Sequence, residues 1–171
     1  MGQDSGAAGR QWLRAGRVGR AHGLDGSFHV RSPNPPLLSA GTRVWVTGRE
    51  LWIERRAGTD QRPIVRLGGY DDRSAAEQLR GAELLVSRAD APELGPDEWW
   101  AEDLEGCAVS NGSRRIGTVR RLLAMPSCEV LEVERTGGED DLLVPLVRAA
   151  VLAVDLEHRQ IEVDVEFLGI G

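Results

Sequence analysis

Residues 160–167, QIEVDVEF, alternate without a break. Ile161, Val163, Val165 and Phe167 share one side of such a segment, and Gln160, Glu162, Asp164 and Glu166 the other. A period of two is the repeat of a half-buried strand. The same pattern recurs along the whole chain in short pieces. GSFHVRS alternates Phe28 and Val30 with Ser27, His29 and Arg31. RVWVTGRELWIE predicts a tight hairpin with Gly48-Arg49 as a type II′ loop. That register sets Val44 opposite Ile53, Val46 opposite Leu51, and Trp45 opposite Trp52 as a cross-strand aromatic pair. RPIVRLGG, ELLVSR, DLEGCAVS, RRIGTVRRLLA, CEVLEVER and DLLVPLV are further strands, set apart by turns such as NGS and TGGED. Many short strands at regular spacing predict an all-β chain built from small barrels.

One helix interrupts the pattern. SAAEQLRGAE places Ser74 and Glu77 at capping-box spacing and ends at Gly81. ADAPELGPDE, with two prolines and several acids, then reads as a boundary. The expected organisation is a frayed tail over 1–11, a first barrel with one short helix over 12–90, a linker over 91–97 and a second barrel over 98–168. Barrels of about 75 residues lie near the lower limit for a self-sufficient core, so packing on a partner would stabilise both.

Charge divides along the same line. Residues 1–96 hold 14 arginines against 11 acids, a net of +3; residues 97–171 hold 7 against 16, a net of −9. There is no lysine, so every fixed cation is a guanidinium. The chain lacks an apolar run of the roughly 18 residues a membrane span needs, and no membrane partner is expected. Its first residues lack the apolar core of a signal peptide, which makes the cytoplasm the expected location. Cys107 and Cys128 fit neither a disulfide framework nor a zinc site and read as small buried thiols. No nucleophile elbow, phosphate loop or metal-ligand spacing is present, so no catalytic residue, metal or cofactor is expected.

Two stretches carry binding character. GRVGRAHGLDGSFHV, residues 16–30, gathers Arg17, Arg20, His22 and His29 around the glycine-bracketed turn Gly23–Gly26, with Arg14 and Arg31 just outside. In a hairpin joining 14–20 to 27–32, these side chains make one basic surface for phosphates. Salt bridges on a solvated face are the alternative. DEWWAEDLEG sets Trp99 beside Trp100 just after the boundary. On a strand the two indoles point to opposite faces, one to the core and one to a groove or surface.

Taken in order, GRVGRAHGLDGSFHVR, DDRSAAEQLRGAELLV, DEWWAEDLEG and VDLEHRQIEVD resemble the RimM-type ribosome maturation factors. The resemblance implies a translation-factor-like N-terminal barrel followed by a PRC barrel. It also implies a non-catalytic assembly factor for the immature 30S subunit, one that binds ribosomal protein S-nineteen and assists maturation of the 3′, head domain of 16S rRNA. The family's aromatic pair, implicated in that protein contact, matches Trp99 and Trp100. That pair is usually tyrosine; indole keeps the aromatic surface and loses the phenolic hydroxyl. AMPSCEVLEV and VPLVRAAVLAVD also depart from the family pattern. The ribosome-facing candidates are then Arg17, Arg20, His22, Gly23, Leu24, His29 and Arg31. A monomer is expected. A PRC-barrel module unconnected with ribosomes and an rRNA-processing enzyme are the competing readings.

Overall fold

The computed structural model describes residues 11–170. The expected tail, residues 1–11, falls outside this range except for Gln11. The chain divides into two compact units between Gly95 and Pro96.

The first unit contains β1 (Trp12–His22), β2 (Ser27–Arg31), β3 (Arg43–Val46), β4 (Arg49–Gly58), β5 (Pro63–Leu67), α1 (Arg73–Gln78) and β6 (Glu83–Ser87). Its strands close into a barrel in the order β1-β2-β5-β4-β3-β6. Alternation fills the interior: Leu13, Val18, Phe28, Val44, Val46, Ile53, Val65, Leu67, Leu84 and Val86 are buried. Their sequence neighbours form the outer wall. Closure removes the unpaired edges that a small sheet would otherwise expose.

The β3–β4 hairpin differs from the register expected of its sequence. Val44 opposes Leu51, Trp45 opposes Glu50, Val46 opposes Arg49 and Arg43 opposes Trp52. The loop is therefore Thr47-Gly48, with φ of 50° and 78°. Two positive φ values make a type I′ turn, whose twist matches that of the strands. The slip is two residues, one full side-chain repeat, so Val44, Val46, Leu51 and Ile53 stay on one face. The Trp45–Trp52 pair is lost. Trp45 meets Trp12 edge to face instead, with ring centroids 5.5 Å apart. Trp52 lies under the Arg43 guanidinium at 5.9 Å.

The helix also starts differently. Asp72 is its N-cap, and the Asp72 carboxylate accepts a hydrogen bond from the Ala75 amide at 2.8 Å. Ser74 lies inside the first turn. Glu77, expected to close a capping box with it, accepts from the Ala21 amide at 3.3 Å and so ties α1 to β1. Asp72→Ala removes the acceptor for an orphan amide, and a loss of about 1 kcal/mol is expected. Ser74→Ala should leave the urea midpoint nearly unchanged. The reverse ranking would restore the capping box.

The second unit contains α2 (Ala101–Leu104), β7 (Ala108–Asn111), β8 (Arg114–Ala124), β9 (Glu129–Arg135), β10 (Leu142–Pro145), β11 (Val151–Asp155) and β12 (Gln160–Val163). Its six strands run in the order β10-β9-β8-β7-β12-β11, with β12 and β7 parallel. Leu104, Cys107, Val109, Val119, Leu131, Val133, Val144 and Ile161 form the core. Pro145 sits in edge strand β10, where a missing amide leaves no ladder partner unsatisfied. Cys107 is buried, Cys128 half-buried, and neither is in a disulfide.

The QIEVDVEF strand stops early. β12 ends at Val163 because the Asp164 carboxylate accepts from the Glu166 and Phe167 amides, both at 2.9 Å. That local bond competes with strand pairing and turns Phe167 outward, 55% exposed.

Candidate functional site

The β1–β2 turn runs from Gly23 to Gly26. It is braced from three directions. Asp25 accepts from the Ser27 amide at 3.2 Å and from the Arg55 guanidinium at 2.7 Å. Arg55 also donates to the Ser27 hydroxyl at 3.1 Å, and Arg73 donates to the Gly23 carbonyl at 3.3 Å. The hydrogen bonds from Ser27, with the Arg55 charge adding to them, hold the Asp25 carboxyl below its usual range. The sign follows: the brace is complete above the ordinary carboxylate pKa and is lost as pH falls through the lowered one. What the braced loop presents is Leu24, 79% exposed at its tip.

Beyond the loop, β1 and β2 share an outer wall. Arg17 stands opposite Arg31 in the register. The His22 and His29 rings meet edge to face, with centroids 5.0 Å apart. Burial pushes the His29 pKa down, and Arg20, His22 and Arg62 push it further the same way. Burial and the neighbouring cations thus both favour the neutral imidazole of His29.

The wall's charges are not all cancelled. Arg17 is bonded to Glu83 at 3.0 Å. Among the described residues, no carboxylate lies within ion-pairing distance of Arg20, Arg31 or Arg62. The salt-bridged face that competes with a phosphate-binding one thus holds at Arg17 and not at these three. Arg62 was not among the residues expected. It sits just ahead of β5, and β5 pairs with β2 with Ile64 opposite His29. Its only sequence signal is its place at the head of RPIVRLGG.

Trp99 and Trp100 belong to the second unit and lie in the loop leading into α2, not on a strand. The expectation of opposite strand faces is corrected accordingly. Trp100 is buried, 7% exposed; Trp99 is half-buried and packs against the second core. Nearby, Glu129 has its pKa raised, first by burial and then by the charge of Glu98. The Arg121 guanidinium meets the Glu132 carboxylate through two hydrogen bonds, at 2.6 and 3.2 Å. Among the described residues there is no cluster of three or more side chains able to hold a metal ion, and no helix is long and apolar enough to cross a membrane.

Residues 13–91 match the family model of the RimM N-terminal domain, and residues 101–166 match that of the RimM PRC barrel domain. The chain belongs to the RimM family. The first RimM match covers the closed barrel and α1; the second covers α2 to β12. Among curated relatives, the ribosome maturation factor RimM of Sorangium cellulosum is 34% identical over 161 residues, spanning 90% of this chain and 94% of that protein. The ribosome maturation factor RimM of Acidothermus cellulolyticus is 36% identical over 159 residues, 89% of each chain. That of Aquifex aeolicus is 30% identical over 170 residues, 94% of this chain and 98% of the relative.

Proposed function

We propose that this chain is a non-catalytic assembly factor of the small ribosomal subunit, working in the cytoplasm. In this reading its second unit binds ribosomal protein S-nineteen, while the rRNA of the 16S 3′ domain folds into the head. The observation that carries the reading is the match to both RimM domains, in order, along one chain. The charge division supports the assignment of partners. A net of −9, from 7 arginines and 16 acids over residues 97–171, suits a basic ribosomal protein and repels bare RNA. The wall of Arg20, Arg31 and Arg62, with Leu24 at the loop beside it, suits rRNA phosphates. Trp99 supplies the aromatic contact surface in the second unit, while Trp100 holds the loop in place.

The test is a binding titration of purified S-nineteen-type protein against the wild type and Trp99→Ala, at low and high salt. Wild-type binding is expected to weaken with salt. The variant should bind about tenfold more weakly, the scale of an interface hot spot. Unchanged affinity in Trp99→Ala would place the protein contact on the Leu24 loop. No binding by the wild type would sink the S-nineteen assignment.

A further inference from the structure

Three of the five tryptophans, Trp12, Trp45 and Trp52, lie on the outside of the first barrel. Trp12 and Trp45 are half-buried and Trp52 is exposed, so each indole keeps surface in water. Two of these indoles come together although 33 positions separate them in the chain. Trp45 pairs opposite Leu85, and β6 pairs in turn with β1, so β3, β6 and β1 set Trp12 and Trp45 side by side. Their planes are inclined at 72°. The two rings therefore meet edge to face and are not stacked on one another. They line a groove of about 360 Å³ with Leu85, Ala82, Glu83 and the Thr47-Gly48 turn.

The groove is continuous with the basic wall, because both are built on the outer face of β1. Trp12 lies at the start of that strand, and Arg17, Arg20 and His22 lie further along it. Glu83 is the one carboxylate in the lining, and Arg17 neutralises it through Oε1 at 3.0 Å. Arg17 stands in register with Arg31, so cations begin where the aromatic groove ends. An aromatic floor beside a strip of guanidinium groups is the arrangement that takes a base by its face and its phosphates by their charge.

We infer that the Trp12–Trp45 groove takes one unpaired nucleobase of a single-stranded RNA whose phosphates run onto Arg31 and Arg20. This rests on the reading of the basic wall as the rRNA-facing surface and names what that surface recognises. A duplex cannot use the groove, because its bases are already stacked and paired. Recognition is by stacking, so it tolerates different bases.

The experiment follows the five indole N–H resonances of the full-length protein by NMR at low salt, assigned with single Trp→Phe variants. The probes are a single-stranded adenylate hexamer, the same hexamer annealed to its uridylate complement, and an arginine-containing pentapeptide. The hexamer is expected to move the Trp12 and Trp45 signals and leave Trp99 and Trp100 in place. Trp45→Leu should weaken its binding about tenfold. Arg31→Ala should weaken it less and flatten its salt dependence. Trp12→Phe, which keeps a ring, checks the result if Trp45→Leu fails to fold; it should retain most of the affinity. Hexamer binding that shifts His22 and His29 but neither indole would overturn the groove and leave the basic wall standing. Equal response to the duplex, or indole shifts caused by the arginine peptide alone, would overturn the nucleobase as occupant. No binding of the hexamer at millimolar concentration would overturn the groove and the RNA-facing wall together. None of these outcomes touches binding of the S-nineteen-type protein, which is measured separately.

Discussion

Gly26→Ala is expected to cost the first barrel at least about 4 kcal/mol, a large part of the 5–15 kcal/mol that holds a typical domain together. Two causes add. Gly26 has a φ of +80°, which an alanine adopts only at about 1 kcal/mol or more. A Cβ there would also stand 1.7 Å from the Tyr70 carbonyl oxygen and 2.6 Å from its carbon. Those atoms are backbone, held between β5 and α1, and cannot swing aside as a flexible side chain would. Gly23, three residues away in the same turn, provides the control. Its φ is +66°, but the nearest atom to an added Cβ is the Asp25 carboxylate at 3.9 Å. Gly23→Ala should therefore cost only the backbone strain, about 1 kcal/mol. Urea denaturation, followed at β1 and β2 amide signals, separates the two variants. Equal midpoints would mean the Tyr70 segment yields, and the tight approach at Gly26 would carry no stability.

Trp100→Ala is expected to destabilise the protein by about 3–5 kcal/mol, the usual range for deleting a buried aromatic side chain. At 7% exposure almost the whole indole is out of water. Its carbonyl also accepts from the Asp103 amide at 3.0 Å, so the residue opens α2. Trp99 is only half-buried and keeps surface to offer, so Trp99→Ala should cost clearly less than Trp100→Ala. The adjacent tryptophans thus divide their labour, one for stability and one for contact. A double alanine variant would confound the two effects. Thermal or urea unfolding of each single variant, beside its affinity for the S-nineteen-type protein, checks the division. A Trp100→Ala protein with unchanged stability and lost binding would reverse it.

How far the sequence can be read depends on how far apart in the chain the interacting groups lie. The all-β character and the Gly23–Gly26 turn are properties of adjacent residues, and they were legible, whereas the helix ends at Gln78 and not at the expected stop, Gly81. The inward set of the β3–β4 hairpin was legible as well, because Val44, Val46, Leu51 and Ile53 share a face in either register. Which register forms was not. Thr47-Gly48 and Gly48-Arg49 are both acceptable two-residue loops, and the pairings of β3 and β4 with β6 and β5 lie outside the hairpin. The helix cap failed for a related reason: Ser74 and Asp72 both carry a capping oxygen, and Glu77, which would have favoured Ser74, is drawn to β1.

The candidate site shows the same division. The sequence by itself determined which cations crowd the first hairpin, that the turn must be glycine-rich, and that acids accumulate in the second half. Those are facts of composition and short-range spacing. Only the tertiary structure decided which cations remain uncancelled. Glu83 is 66 positions from Arg17, and barrel closure through β6 brings them together. Arg62 reaches His29 only because β5 pairs with β2. Trp12 meets Trp45 only because β6 lies between β1 and β3. Charge cancellation and aromatic contact both act over a few ångströms, and a chain folded into a barrel sets those distances by strand order, which no local pattern encodes.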